Sequence, residues 1–161
     1  MQRFLFVFFA VIIGFFVESL IVDLMGRNFK PNILIIIVVF FNLAWGIRYS
    51  LLSAGLAGLL RDAMSVKTFG LNLFPFLLCA YLTTILAKYI YQRGSNASRF
   101  LLVIVVELIF LHVQYILNFT IVAVSFSEFF RYVLLPETII TAIVTIYVFQ
   151  KLRRCALRFL E

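Results

Sequence analysis

The chain has 161 residues, of which 65% are hydrophobic and 13% charged, and its mean hydropathy is +1.13. A soluble domain of this length cannot bury so much apolar surface, and the 20 phenylalanines exclude a disordered chain. The net charge of +7 comes from basic residues scattered between apolar runs, which is typical of the flanks of membrane spans. We therefore expect a single-domain polytopic membrane protein and no nucleic-acid binding.

Six apolar segments predict six spans within one integral-membrane domain, residues 1–161. The first, with only Arg3 before it and no cleavage site after it, fits a retained span better than a signal peptide. Pro31 is expected in the first turn of the second span, and a hinge at residues 46–49 is expected to separate the second from the third. The predicted spans are residues 4–24, 31–47, 50–65, 73–91, 100–122 and 133–150.

The distribution of Lys and Arg predicts the orientation of these spans. With six spans, nine basic residues flank one side and five flank the other. The positive-inside rule then places both termini in the cytoplasm. Fusing the second and third spans would give five spans and put the two basic clusters on opposite faces, so we disfavour it.

The basic tail carries Lys151, Arg153, Arg154 and Arg158. It has three interpretations: topology anchoring, contact with anionic lipid and contact with a cytoplasmic partner.

Polar residues recur on one face of the fifth span. Glu107, Gln114 and Asn118 are spaced at i, i+7 and i+11, which predicts one stripe facing the bundle interior. Interhelical hydrogen bonding is the favoured interpretation over a proton or ion path. We expect no basic partner for Glu107 in mid-span, and we expect Arg61 to extend towards the membrane surface.

Small residues recur every four positions on the third span, at Ser50, Ala54 and Gly58, with Gly55 beside them. Such a row lets two helix backbones approach closely. The row serves either packing within the bundle or a seam for a partner's span.

The sequence contains no group of residues with metal-ligand spacing. It also contains no nucleophile, phosphate-binding or cofactor motif. We expect no enzyme activity, no cofactor and no metal site.

Residues 31–91 carry a family resemblance. Pro31 opens an apolar helix and Gly46 lies in the hinge. Gly55 to Asp62 (GLAGLLRD) is followed by Phe69 to Asn72 (FGLN), which contains Gly70. This order resembles the bacterial MreD family, with its G-x-x-G-L-L-x-D helix end and later L-G-x-N. Asn32 stands where that family usually has Asp, Phe69 where it has a small or aliphatic residue, and Ser50 where Gly is common.

The resemblance implies a non-enzymatic inner-membrane subunit of the cell-elongation machinery. Such a subunit would bind MreC, and through it the MreB filaments and the RodA/penicillin-binding-protein synthase of peptidoglycan. The resemblance also implies a fold related to the six-helix substrate-capture subunits of energy-coupling-factor transporters. That relation supplies the alternative function, capture of a vitamin or metabolite, with Asp62, Asn72, Glu107 and Asn118 as candidate pocket residues.

Overall fold

The computed structural model describes residues 2–26, 30–65, 70–90, 95–119 and 126–160, and all regular structure within them is helical. The prediction of an all-α fold is thereby confirmed. Six long helices and one short helix follow in chain order: α1 Gln2–Met25, α2 Ile33–Trp45, α3 Ile47–Ala63, α4 Leu73–Ile90, α5 Asn96–Phe119, α6 Phe126–Phe129 and α7 Leu135–Leu160.

Four of the helical segments in the described part of the chain are long and apolar enough to cross a membrane. They comprise residues Gln2–Leu24, Leu73–Ile90, Asn96–Leu117 and Ser127–Ala156. Helix α3 has 17 residues and a less apolar sequence, and α2 has only 13 residues. Thirteen residues extend about 20 Å, less than the roughly 30 Å thickness of the hydrocarbon core.

Helix α2 lies at the centre of the bundle. Every residue from Ile33 to Asn42 is buried, and the helix packs against α1, α3, α4, α5 and α7. A helix that is apolar on all sides is suited to such a position, because no face of it needs water. The surrounding helices leave their own apolar side chains, such as Phe16 and Ile143, exposed on the outside of the bundle.

The break between α2 and α3 is confined to Gly46. Its φ is +88°, a left-handed conformation that glycine adopts without the steric cost of a Cβ atom. The N–H of Gly46 donates to the carbonyl of Asn42 at 3.0 Å, and the N–H of Ser50 donates to the carbonyl of Gly46 at 3.3 Å. The chain therefore turns sharply, and Arg48, which we expected in the hinge, already belongs to α3.

Near the C-terminus, a π-helical stretch, Phe130–Leu134, joins α6 to α7. The N–H of Leu135 donates to the carbonyl of Phe130, and the next residue is Pro136, which has no N–H to donate. The wider turn accommodates this missing donor. Residues 151–160, described from the sequence as a tail, continue α7 as helix.

Candidate functional site

A buried arginine lies at the end of α3. Arg61 is 8% exposed, and its guanidinium forms an ion pair with Glu18 of α1 and donates to the amide oxygen of Asn32 at 2.7 Å. The guanidinium carbon also lies 5.0 Å from the ring centroid of Phe76 and 5.7 Å from that of Phe110. A desolvated cation is thus held by a carboxylate, an amide and two aromatic rings.

Asn32, the N-cap residue of α2, connects this arginine to two further helices. Its backbone N–H donates to Oγ1 of Thr141 on α7 at 2.9 Å. Its side-chain nitrogen donates to Oε2 of Glu107 on α5 at 3.0 Å, while its side-chain oxygen accepts from Arg61. An amide is suited to this position because it donates and accepts at once, whereas an ionised carboxylate only accepts.

Two further charged residues complete the group. The Nζ atom of Lys30 lies 3.8 Å from Oε1 of Glu18, and the nearby Arg61 cation, with burial, lowers the pKa of Lys30. Glu137 of α7 is 9% exposed and lies one helical turn before Thr141, which bonds Asn32. We call Glu18, Lys30, Asn32, Arg61, Glu107, Glu137 and Thr141 the buried ionic cluster.

The charges of the buried ionic cluster do not balance when every group is ionised. Three carboxyl groups meet two cations, and Oε2 of Glu18, Nε of Arg61 and Oε1 of Glu107 have no hydrogen-bond partner among the described residues. A net buried charge is costly in a low-dielectric interior.

The neighbouring aspartate has a different role. Asp62 accepts hydrogen bonds from the backbone N–H groups of Gly70, Asn72 and Leu73 at 2.9, 3.0 and 3.1 Å. It also accepts from the side chain of Asn72 at 2.9 Å. A carboxylate at this position satisfies the free N–H groups at the start of α4 and interacts favourably with the helix dipole. The side-chain oxygen of Asn72 in turn accepts from Gln114 of α5 at 2.7 Å.

A polar cavity of about 410 Å³ opens beside the buried ionic cluster. It lies where α1 and α3 end and α4 begins, and its volume is in the range of small-molecule sites. Glu18, Lys30 and Arg61 line it from the cluster, and Asp23, Asn72 and Gln114 line it from the surrounding helix ends. Asp62 and Glu107, two of the pocket residues expected from the sequence, are not among those that line it.

The row of small residues on α3 faces the interior of the bundle. The hydroxyl of Ser50 donates to the carbonyl of Val38 on α2 at 3.1 Å, and Ala54 and Gly58 are buried. A Cβ atom at Gly58 would lie 2.5 Å from the Cα atom of Leu73, whereas one at Gly55 would meet nothing within 4 Å. This geometry fits packing against α2 and α4, the first of the two interpretations of the row.

The stripe on α5 contributes to two separate contacts. Glu107 bonds Asn32 and Gln114 bonds Asn72, so both side chains reach neighbouring elements. The side chain of Asn118 lies outside the described residues.

In the basic tail, Lys151, Arg153 and Arg154 are exposed, and the side chain of Arg158 is not described. Phe69 of the family motif also lies outside the described residues.

Two expectations for the interior were wrong. Arg61 is buried in the bundle, paired with Glu18 and Asn32, and the interior around Glu107 does contain a basic side chain, since Arg61 bonds the same amide that bonds Glu107. Glu18 was not predicted as a site residue. Its isolated charge inside the apolar first segment was the available signal, because such charges are usually paired with one another.

A family model described as rod shape-determining protein MreD matches residues 1–155. The chain belongs to the MreD family. This match covers α1 to α6 and α7 as far as Cys155, well beyond the 31–91 segment that carried the resemblance. Comparisons with curated proteins and with solved structures gave no match. The fold relation to energy-coupling-factor capture subunits therefore stays a prediction.

Membership in the MreD family implies a role in determining rod shape, and this is a family of structural proteins, not a known family of enzymes. Together with the four helical segments that are long and apolar enough to cross a membrane, it identifies the chain as a multi-pass membrane protein.

Proposed function

We propose that the chain is a non-enzymatic scaffold subunit of the bacterial rod complex in the cytoplasmic membrane. It binds an MreC-like membrane protein and thereby helps couple MreB filaments to the RodA/penicillin-binding-protein synthase of peptidoglycan. The observation that carries this proposal is the MreD family match over residues 1–155.

The internal bonding of the chain is consistent with a scaffold. The buried ionic cluster connects α1, α2, α3, α5 and α7, and the Asp62 contacts connect α3 to α4. Buried polar contacts of this kind can fix one arrangement of helices even where they add little net stability. A fixed bundle presents a constant outer surface to a partner.

Copurification tests the proposed partner. The tagged full-length chain is extracted from membranes in mild detergent and the recovered proteins are identified by mass spectrometry, with an unrelated multi-pass protein carrying the same tag as control. We expect the MreC-like protein to be recovered with the chain and not with the control. A chain that restores rod shape to depleted cells without ever recovering that protein would contradict the proposal.

Photo-crosslinking then locates the partner surface. A photoreactive residue is placed at exposed positions on three helices, Phe16 on α1, Tyr81 on α4 and Ile143 on α7, and at the buried position Phe41 as control. We expect crosslinks to the MreC-like protein from one helix face only. Equal crosslinking from all three helices, or from Phe41, would show that the contact is not specific.

The proposed orientation places both termini in the cytoplasm. Reporter fusions after Asn96 and after Lys67 test it, although Lys67 lies outside the described residues. We expect a cytoplasmic signal from the first fusion and an extracytoplasmic signal from the second. The opposite pair of signals would reverse the orientation, and two signals of the same kind would rule out six spans.

The polar cavity supports a second candidate function, capture of a small metabolite. It has a volume of about 410 Å³, and both carboxylate and cationic side chains line it. Its ligand would therefore carry a cationic group and an anionic group, each able to form hydrogen bonds. Mass spectrometry of small molecules released from the purified chain tests this function. A stoichiometric metabolite that is lost in the variant Gln114→Leu would favour capture over scaffolding.

A further inference from the structure

A second cavity, of about 280 Å³, lies between the first turn of α5 and the C-terminal half of α7. Its lining residues include two with guanidinium side chains, Arg99 and Arg153, and two with amide side chains, Asn96 and Gln150. Phe100 and Phe149 add apolar surface. The cavity therefore combines a cationic, hydrogen-bonding part with an aromatic part.

The two guanidinium groups lack anionic partners in the described part of the chain. Arg99 donates to the side-chain oxygen of Asn96 at 3.3 Å, and the ion pairs found among the described residues involve other cations. The sequence explains this, since no acidic residue occurs between positions 63 and 106 or between 138 and 160. Two positive charges therefore border the cavity without compensation.

We propose that this cavity binds the headgroup of an anionic phospholipid. Arg99 and Arg153 hold the phosphate from the two helices, because the planar guanidinium fork matches two phosphate oxygens at once. The amides of Asn96 and Gln150 donate to the remaining headgroup oxygens. The acyl chains follow the apolar surface of α7 past Phe149 and the exposed Ile146 towards Ile143.

The position of the cavity agrees with this ligand. It lies at the basic ends of two apolar helices, where the headgroups of a leaflet are found. In the proposed orientation that leaflet is cytoplasmic, and basic pockets between helices on this side of a membrane bind anionic headgroups. The site does not depend on the proposed role in the rod complex, since it needs only the helices and a bilayer.

Native mass spectrometry of the full-length chain in neutral detergent tests the site. Phosphatidylglycerol is titrated against the wild-type chain and against the double variant Arg99→Gln/Arg153→Gln. We expect one bound phosphatidylglycerol in the wild type and an affinity lowered about tenfold or more in the variant. Phosphatidylcholine, which has no net charge, should bind at least tenfold more weakly than phosphatidylglycerol to the wild type.

A matched control removes the same charge from the same end of the bundle. Arg48→Gln/Arg154→Gln replaces two exposed arginines that do not line the cavity, and we expect its affinity to stay within about twofold of wild type. Circular dichroism and size-exclusion profiles establish that both variants are folded.

Three results would overturn the proposal. The first is an equal loss of affinity in the control, which would indicate general charge attraction. The second is equal binding of phosphatidylcholine. The third is displacement of phosphatidylglycerol by millimolar inorganic phosphate, which would make the cavity a site for free phosphate and not for a lipid.

Discussion

The guanidinium of Arg61 and the side-chain oxygen of Asn32 are 2.7 Å apart in the interior of the bundle. This contact joins a cation near the end of α3 to Asn32, the N-cap residue of α2, and Asn32 in turn bonds residues of α5 and α7.

Replacement of Arg61 by Gln should destabilise the bundle by about 3–5 kcal/mol, because it removes the closer cation of Glu18 and leaves that buried carboxylate only the half-exposed Lys30. The measurement is thermal unfolding of the purified chain in detergent, with Arg48→Gln, an exposed arginine of the same helix, as control. Adding Glu18→Gln to the Arg61→Gln variant should restore part of the loss. Additive losses in that double variant would mean that the two side chains are not coupled.

Replacement of Glu107 by Gln should change stability by less than about 1 kcal/mol. Glutamine still accepts the hydrogen bond from Asn32 through its amide oxygen, and it carries no charge that would need a buried counter-ion. Replacement by Leu should cost about 1–3 kcal/mol, since the side-chain nitrogen of Asn32 then loses its acceptor. Thermal unfolding compares the two variants, and a larger loss for Gln than for Leu would contradict this description of the cluster.

Replacement of Gly58 by Ala should destabilise the packing of α3 on α4 by about 1–3 kcal/mol. The new methyl group would lie 2.5 Å from the Cα atom of Leu73, a backbone atom that cannot rotate away. Gly55→Ala is the matched control, since its methyl group meets open space and alanine favours the helix. Equal unfolding temperatures for the two variants would show that α4 does not lie so close to α3.

Replacement of Asp62 by Ala should expose the start of α4 to local opening. The N–H groups of Gly70, Asn72 and Leu73 lose their acceptor, a change that costs about 0.5–2 kcal/mol at helix caps. Hydrogen–deuterium exchange should accelerate in peptides covering residues 70–76 and stay unchanged in peptides from α7. Asp62→Asn keeps one acceptor oxygen and should show a smaller acceleration; unchanged exchange in Asp62→Ala would refute the cap.

The helical class of this fold follows from composition, because long apolar segments in a membrane have to satisfy their backbone groups internally. The central position of α2 was not predicted. A hydropathy value is equally high for a helix that faces lipid and for a helix that is surrounded by protein. The apolar segment 31–47 was therefore predicted to be a span like the others. Its shortness, with Asn42 inside it and Gly46 after it, was the only signal that separated it.

The candidate site was harder to predict than the fold. The spacing of Glu107 and Gln114 indicates a shared face, but spacing within one helix says nothing about which residue on another helix meets that face. Glu18, Asn32 and Arg61 come from three different helices, and their proximity depends on how those helices pack. The usable clue was the distance of each charged residue from the end of its predicted span, since charged side chains at the same depth in a membrane can form ion pairs.

The central position of α2 has a consequence for biosynthesis. This helix is covered on all sides only after α4, α5 and α7 are present, so its final contacts form only once the second half of the chain has been made. Until α5 and α7 have been made, Asn32 lacks its contacts with Glu107 and Thr141. Synthesis of the last helix, which supplies Thr141, completes the assembly.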